Sequence, residues 1–131
     1  MARGVVRLMG DLGRAALLEV PLANGRRADV MAVDAKGMVT IVEVKSCLAD
    51  FQSDHKWEDY RSFCDVFFFA VPEDFPQDYI AGDCGLIIAD RHGGDLLREG
   101  VPHPLSGARR KAILIRFARM AALRLTRLED P

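Results

Sequence analysis

Apolar residues Val5, Val6, Leu8, Met9 and Leu12 recur at mixed helical spacing near the start of the chain, which predicts a first helix over residues 3–13. Residues 16–20 read as a strand, and Asn24-Gly25 is a hairpin signal because both residues accept the positive φ that tight turns demand. Residues 27–33 alternate well enough for a second strand. Asp34, Ala35, Lys36 and Gly37 then form a turn before the β-branched run 39–44, a third strand. Residues 50–63 are expected to be helical, with Asp50 as N-cap. The continuous apolar run 66–71 (Val, Phe, Phe, Phe, Ala, Val) fits a strand buried on both faces, broken off by Pro72 and Pro76. Residues 85–89 predict another buried strand and residues 94–98 a short edge strand. Residues 106–127 predict a closing helix capped by Ser106.

Helix, three-strand meander, helix, two buried strands, edge strand and final helix make an α/β fold on a mixed central sheet. At 131 residues the chain is one domain, 1–131, without repeats, low-complexity tracts or linkers. No apolar run approaches the roughly 20 residues that span a bilayer, and the N-terminus lacks a signal-peptide apolar region, so a cytoplasmic location is expected. Cys47, Cys64 and Cys84 have neither disulfide nor zinc spacing and read as free thiols. His55, His92 and His103 share no ligand spacing and receive no role.

The net charge of −1 hides an asymmetry: residues 1–45 carry +2, residues 46–105 carry −8 and residues 106–131 carry +5. A local basic element matters more for phosphate than the total does.

The informative chemistry lies between Glu19 and Lys45. In the third strand Ile41, Glu43 and Lys45 share one face, so a carboxylate and an ammonium leave an otherwise apolar strand side by side. A short loop at 35–37 sets Asp29 opposite Glu43, with Cβ atoms about 5 Å apart. The same arithmetic around Asn24 sets Glu19 opposite Asp29. A row Glu19, Asp29, Glu43 then crosses three strands on one face. Three such carboxylates repel unless a cation lies among them, and Mg²⁺ or Mn²⁺ prefers oxygen ligands of this kind. The competing reading is a set of salt-bridged polar residues on the wet face of a meander.

Asp29 followed by Glu43-Val44-Lys45 resembles the core motif of the PD-(D/E)XK nuclease superfamily. The segments 24–32 and 42–46, with Lys56-Trp57, Tyr60, Phe69 to Pro72 and the basic final helix, are similar to the small bacterial MmcB-related DNA-repair proteins over nearly the whole chain. Ala28 stands where the superfamily motif has proline. The resemblance implies a restriction-endonuclease-like core and Mg²⁺- or Mn²⁺-dependent hydrolysis of DNA phosphodiesters in DNA repair. It makes Asp29 and Glu43 metal ligands, Lys45 the catalytic lysine and Glu19 an accessory acid. Lys56 precedes Tyr60 at the spacing of a Gln-x-x-x-Tyr pair in some recombination nucleases, which implies a contact to DNA phosphate.

On a helical wheel Arg109, Arg116, Arg119, Arg124 and Arg127 fall within an arc of roughly 140°, opposite Leu114, Phe117, Ala121, Leu125 and Leu128. Such a face contacts phosphates or pairs with the acidic middle segment. Arg26 and Arg27, beside the carboxylates, are placed to hold the scissile strand. Trp57 and Tyr60 stack on an unpaired base or pack the helix onto the sheet. Three functions compete: a metal-dependent DNA nuclease, a catalytically inactive nuclease-fold module that binds DNA or a repair partner, and an assembly protein whose meander sheet and final helix mediate self-association. Phe67, Phe68 and Phe69 contribute to that last interface unless they form a buried central strand, the simpler account of them. The partners expected are DNA and possible further repair proteins, with the chain a monomer or homodimer and no membrane.

Overall fold

In the computed structural model, which describes residues 1–54 and 57–131, six strands form one sheet in sequence order. They are β1 (Ala15–Pro21), β2 (Arg27–Val33), β3 (Val39–Val44), β4 (Val66–Val71), β5 (Gly85–Ala89) and β6 (Gly94–Arg98). β1 to β3 are an antiparallel meander, β3 to β5 run parallel, and β6 closes the far edge antiparallel. With the C-terminal helix α3 (Gly107–Glu129), this mixed α/β arrangement is consistent with a restriction-endonuclease-like core.

Alternation along the strands builds two cores, one on each face of the sheet. Val30, Val42, Phe68, Ala70 and Ile87 face helix α1 (Ala2–Asp11), which contributes Val5, Leu8 and Met9. Met31, Ile41, Phe67, Phe69 and Val71 face the other layer, formed by the 3₁₀ segment Trp57–Phe63 and by α3 through Ile113, Leu114, Phe117 and Met120. Phe67, Phe68 and Phe69 are thus interior residues of a central strand, which removes them as a self-association surface. Gly4 lets α1 lie directly on the turn between β5 and β6, because a Cβ there would sit 1.9 Å from the Asp90 carbonyl oxygen. Among the described residues no helix is long and apolar enough to cross a membrane.

The helix expected over residues 50–63 is a correction. Helix α2 covers only Leu48–Ser53, Asp50 lies inside it, and Asp54 leaves it with extended backbone (ψ 112°). The Asp54 side chain pairs instead with Lys45, and the chain resumes as the 3₁₀ segment from Trp57. The expected apolar side of α3 is also shifted: Leu125 and Leu128 are 55% and 81% exposed, while the Arg124 end of the helix lies on β1. Ser106 caps α3 as expected, accepting from the Arg109 N–H at 3.2 Å.

Asp65, at the entrance to β4, ties three elements together. Its buried carboxylate accepts from the Val39 N–H at 2.7 Å, the Leu105 N–H at 2.8 Å and both terminal nitrogens of Arg110 at 2.6 and 2.7 Å. Burial pushes this carboxyl upward, but the Arg110 guanidinium and the two N–H groups outweigh it and hold it below the usual range. Asp65→Ala leaves two N–H groups and a guanidinium without their acceptor, and is expected to cost about 3 kcal/mol in chemical denaturation. Because the folded carboxyl titrates lower than the unfolded one, this stabilisation is present above the unfolded value and is lost as pH falls through the folded one. The wild type therefore loses more stability than the variant on acidification.

Candidate functional site

The site lies where β2 and β3 part. Their ladder keeps the expected register, from Val33 opposite Val39 to Val30 opposite Val42, and then stops. β3 continues beside β4, with the Lys45 N–H donating to the Ala70 carbonyl at 2.9 Å. In the fork this opens, side chains take over the role of the ladder. The Asp29 N–H donates to the Glu43 carboxylate at 2.9 Å, and the Val44 N–H donates to the Asp29 carboxylate at 2.8 Å. Each acid is fixed by a backbone group next to or belonging to the other, so the juxtaposition expected from strand arithmetic is present and rigidly held.

Glu43 is 5% exposed, and its carboxyl is pushed up from 4.5 to about 8. Burial is the main cause and the Asp29 carboxylate adds to it, against the smaller pull of the Asp29 N–H and the Lys45 ammonium. Glu43 is therefore held towards its protonated form at neutral pH unless a cation joins the fork.

Glu19 keeps its register but not its place in a flat row. The β1–β2 pairs on either side of it are Leu18 opposite Val30 and Val20 opposite Ala28. Leu18 and Val30 belong with one core, while Val20 and Ala28 belong with the other. The two strands thus exchange faces at the Glu19/Asp29 position, and Glu19 adopts a left-handed φ of 50°. Arg124 of α3 braces this kink, donating to the Leu18 carbonyl at 2.5 Å and the Glu19 carbonyl at 2.8 Å. Glu19 still lines one cleft with Asp29 and Val44. Among the described residues no three His, Cys, Asp or Glu side chains gather as a ligand set. The close pair is Asp29 with Glu43.

On the other side of the fork, Glu43, Lys45, Asp54 and Tyr60 line a second cleft. Lys45 is 14% exposed and pairs with Asp54 at 2.6 Å. Tyr60 donates its hydroxyl to the Arg27 carbonyl at 3.2 Å. Burial, then the charges of Glu43, Asp29 and Asp54, push that hydroxyl up to about 12, so it remains a donor at neutral pH. Asp54 and the Tyr60 hydroxyl escaped the sequence analysis, which placed both inside one continuous helix. A signal was present for Asp54, an acidic residue shortly after the Glu43-Val44-Lys45 strand.

The nucleic-acid candidates divide. Arg26 pairs with Asp59 at 3.1 Å beside the fork, and Arg27 is exposed. Arg109 lies over the Phe63 ring at 4.9 Å and donates to the Ser62 carbonyl, while Arg116 is exposed. Trp57 stacks on Phe67 at 5.7 Å and meets Phe69 edge-on, so of its two sequence readings the structure shows packing. Lys56 lies outside the described residues.

Glu43 gives a signed pH prediction for the metal-free protein. Its folded value exceeds the unfolded one, so its contribution is full below about 4.5 and is lost as pH rises through about 8. Denaturation in a chelator is expected to show stability falling over that window, by on the order of 5 kcal/mol. Glu43→Gln is expected to flatten the fall; an unchanged slope in that variant would place the titration elsewhere.

A family model described as DNA repair protein MmcB-like matches residues 1–131. No curated protein matches the chain. Among solved structures, a protein of unknown function from Silicibacter pomeroyi is 41% identical and superposes with a TM-score of 0.94 over 99% of this chain and 89% of its own. Matched along its whole length, the chain belongs to the MmcB-like DNA repair protein family.

Proposed function

We propose that this chain is a metal-dependent DNA nuclease of the PD-(D/E)XK type acting in DNA repair. The observation that carries the proposal is the fork in which Asp29 and Glu43 hold each other through backbone N–H groups, with Lys45 one pleat along. Two neighbouring carboxyl groups, one of them buried, fit a hard divalent cation, Mg²⁺ or Mn²⁺, which is commonly held by one or two carboxylates with the remaining positions left to water and substrate phosphate. Asp29 and Glu43 would be its ligands, with Glu19, across the cleft from Asp29, as the accessory acid. When bound, the ion supplies Lewis-acid polarisation of the phosphodiester and activation of the attacking water.

The protein's own groups supply the rest. Lys45 orients the water or offsets negative charge growing on the phosphoryl oxygens. Asp54 fixes the direction of that ammonium. Arg26 and Arg27, on the hairpin that leads into β2, hold the scissile strand by its phosphates.

A second reading has its own support. Because Lys45 already pairs with Asp54 at 2.6 Å, the fork would also suit a module that binds DNA or a repair partner without cutting. Incubation with supercoiled, single-stranded and branched DNA in Mg²⁺ or Mn²⁺ separates the two. Lys45→Ala is expected to lower cleavage about 100-fold or more at a temperature where circular dichroism shows the variant folded, although losing the Asp54 partner lowers its melting temperature. Full activity in that variant overturns the catalytic assignment. DNA binding with no cleavage of any substrate supports the module.

A further inference from the structure

Two cavities follow one another along the same side of α3. The first is lined by Arg109, Ala112, Ile113 and Arg116 of the helix, facing Leu22, Ala23 and Asn24 of the β1–β2 hairpin. The second is lined by Met120, Leu123, Arg124 and Arg127, facing Pro21, Gly25, Arg26 and Arg27. Steps of three and four residues keep these positions on one helical face, so the cavities form successive reaches of one groove between helix and hairpin. From Arg109 to Arg127 it extends about 27 Å.

Its chemistry is layered. Buried or half-buried Leu22, Met31, Phe63, Ile113 and Met120 make the floor. Arg27, Arg109, Arg116 and Arg127 are exposed along the walls, and Arg26 and Arg124 stand between them. Among the described residues, the one acidic residue lining either cavity is Glu19. Glu19, on the edge strand β1, also lines the cleft of Asp29, so the groove and that cleft share one wall residue.

We infer that this groove binds single-stranded DNA, bases on the apolar floor and phosphates on the arginines, and delivers the strand to the Asp29–Glu43 fork. A duplex keeps its bases stacked inside and can offer such a cleft only phosphates; an unpaired strand can offer both surfaces that the groove presents. The delivery step rests on the nuclease reading above, whereas strand binding does not need metal or cleavage.

Binding is therefore measured in EDTA, by fluorescence anisotropy of an oligothymidylate of about 12 nucleotides against a mixed-sequence duplex of equal length. The expected result is tighter binding of the single strand, lost about tenfold or more in the Arg116→Glu/Arg127→Glu double variant. Lys111→Glu, an exposed helix position outside the groove lining, is the charge control and should lose far less. Ala112→Trp, which fills the first cavity without changing charge, should weaken the single strand and leave the duplex unaffected. Equal or tighter duplex binding, or equal losses in Lys111→Glu and the double variant, overturns the groove as a single-strand site. Because binding is read in EDTA, single-strand binding by the parent without cleavage of any substrate in Mg²⁺ or Mn²⁺ leaves the groove standing and counts against the nuclease reading alone.

Discussion

The exchange of hydrogen bonds between Asp29 and Glu43 is the interaction on which the functional end of this molecule depends. A sheet that ended its β2–β3 ladder at Val30 and Val42 would leave the N–H groups of Asp29 and Val44 without strand partners. Two carboxylates satisfy them. Unpaired, each such buried group would cost about 1–3 kcal/mol, so the acids are retained by the fold itself. The same exchange concentrates negative charge in a place poor in water, as the raised Glu43 carboxyl shows. The fork is stable as a backbone device and unsatisfied as an electrostatic one, and that imbalance is what a cation would relieve.

Other contacts tie together the elements around the fork. Asp65 fixes the start of β3 and β4 against α3 through Arg110. Farther along the same helix, Arg124 braces the kinked stretch of β1 that carries Glu19. Lys45 is held from α2's end by Asp54. The basic helix is thus partly structural. Its arginines at 110 and 124 are tied to the sheet, and those at 109, 116 and 127 border the groove beside the hairpin.

Strand positions and register were legible because the hydrophobic pattern is strong and the turns carry Asn24-Gly25 and Asp34 to Gly37, residues whose local bonding leaves little choice. The spans 27–33, 39–44, 66–71, 85–89 and 94–98 are strands as expected, and the Asp29–Glu43 pairing followed from register alone. The flat acidic row was not legible, since alternation assumes a uniform pleat and the strand pair changes faces at Glu19. Nor was the break at Asp54, because local helix signals run straight through it while the partner that draws its side chain away is nine residues back. Asp65 carried no sequence signal at all: its partners at 39, 105 and 110 meet only in three dimensions.

The most direct test of the account is titration of Mg²⁺, then Mn²⁺, into the purified protein by calorimetry, beside Asp29→Ala and Glu43→Ala. The account predicts about one ion per chain, with binding lost in both variants. Binding that survives unchanged in both would contradict it, because the fork would then hold no metal.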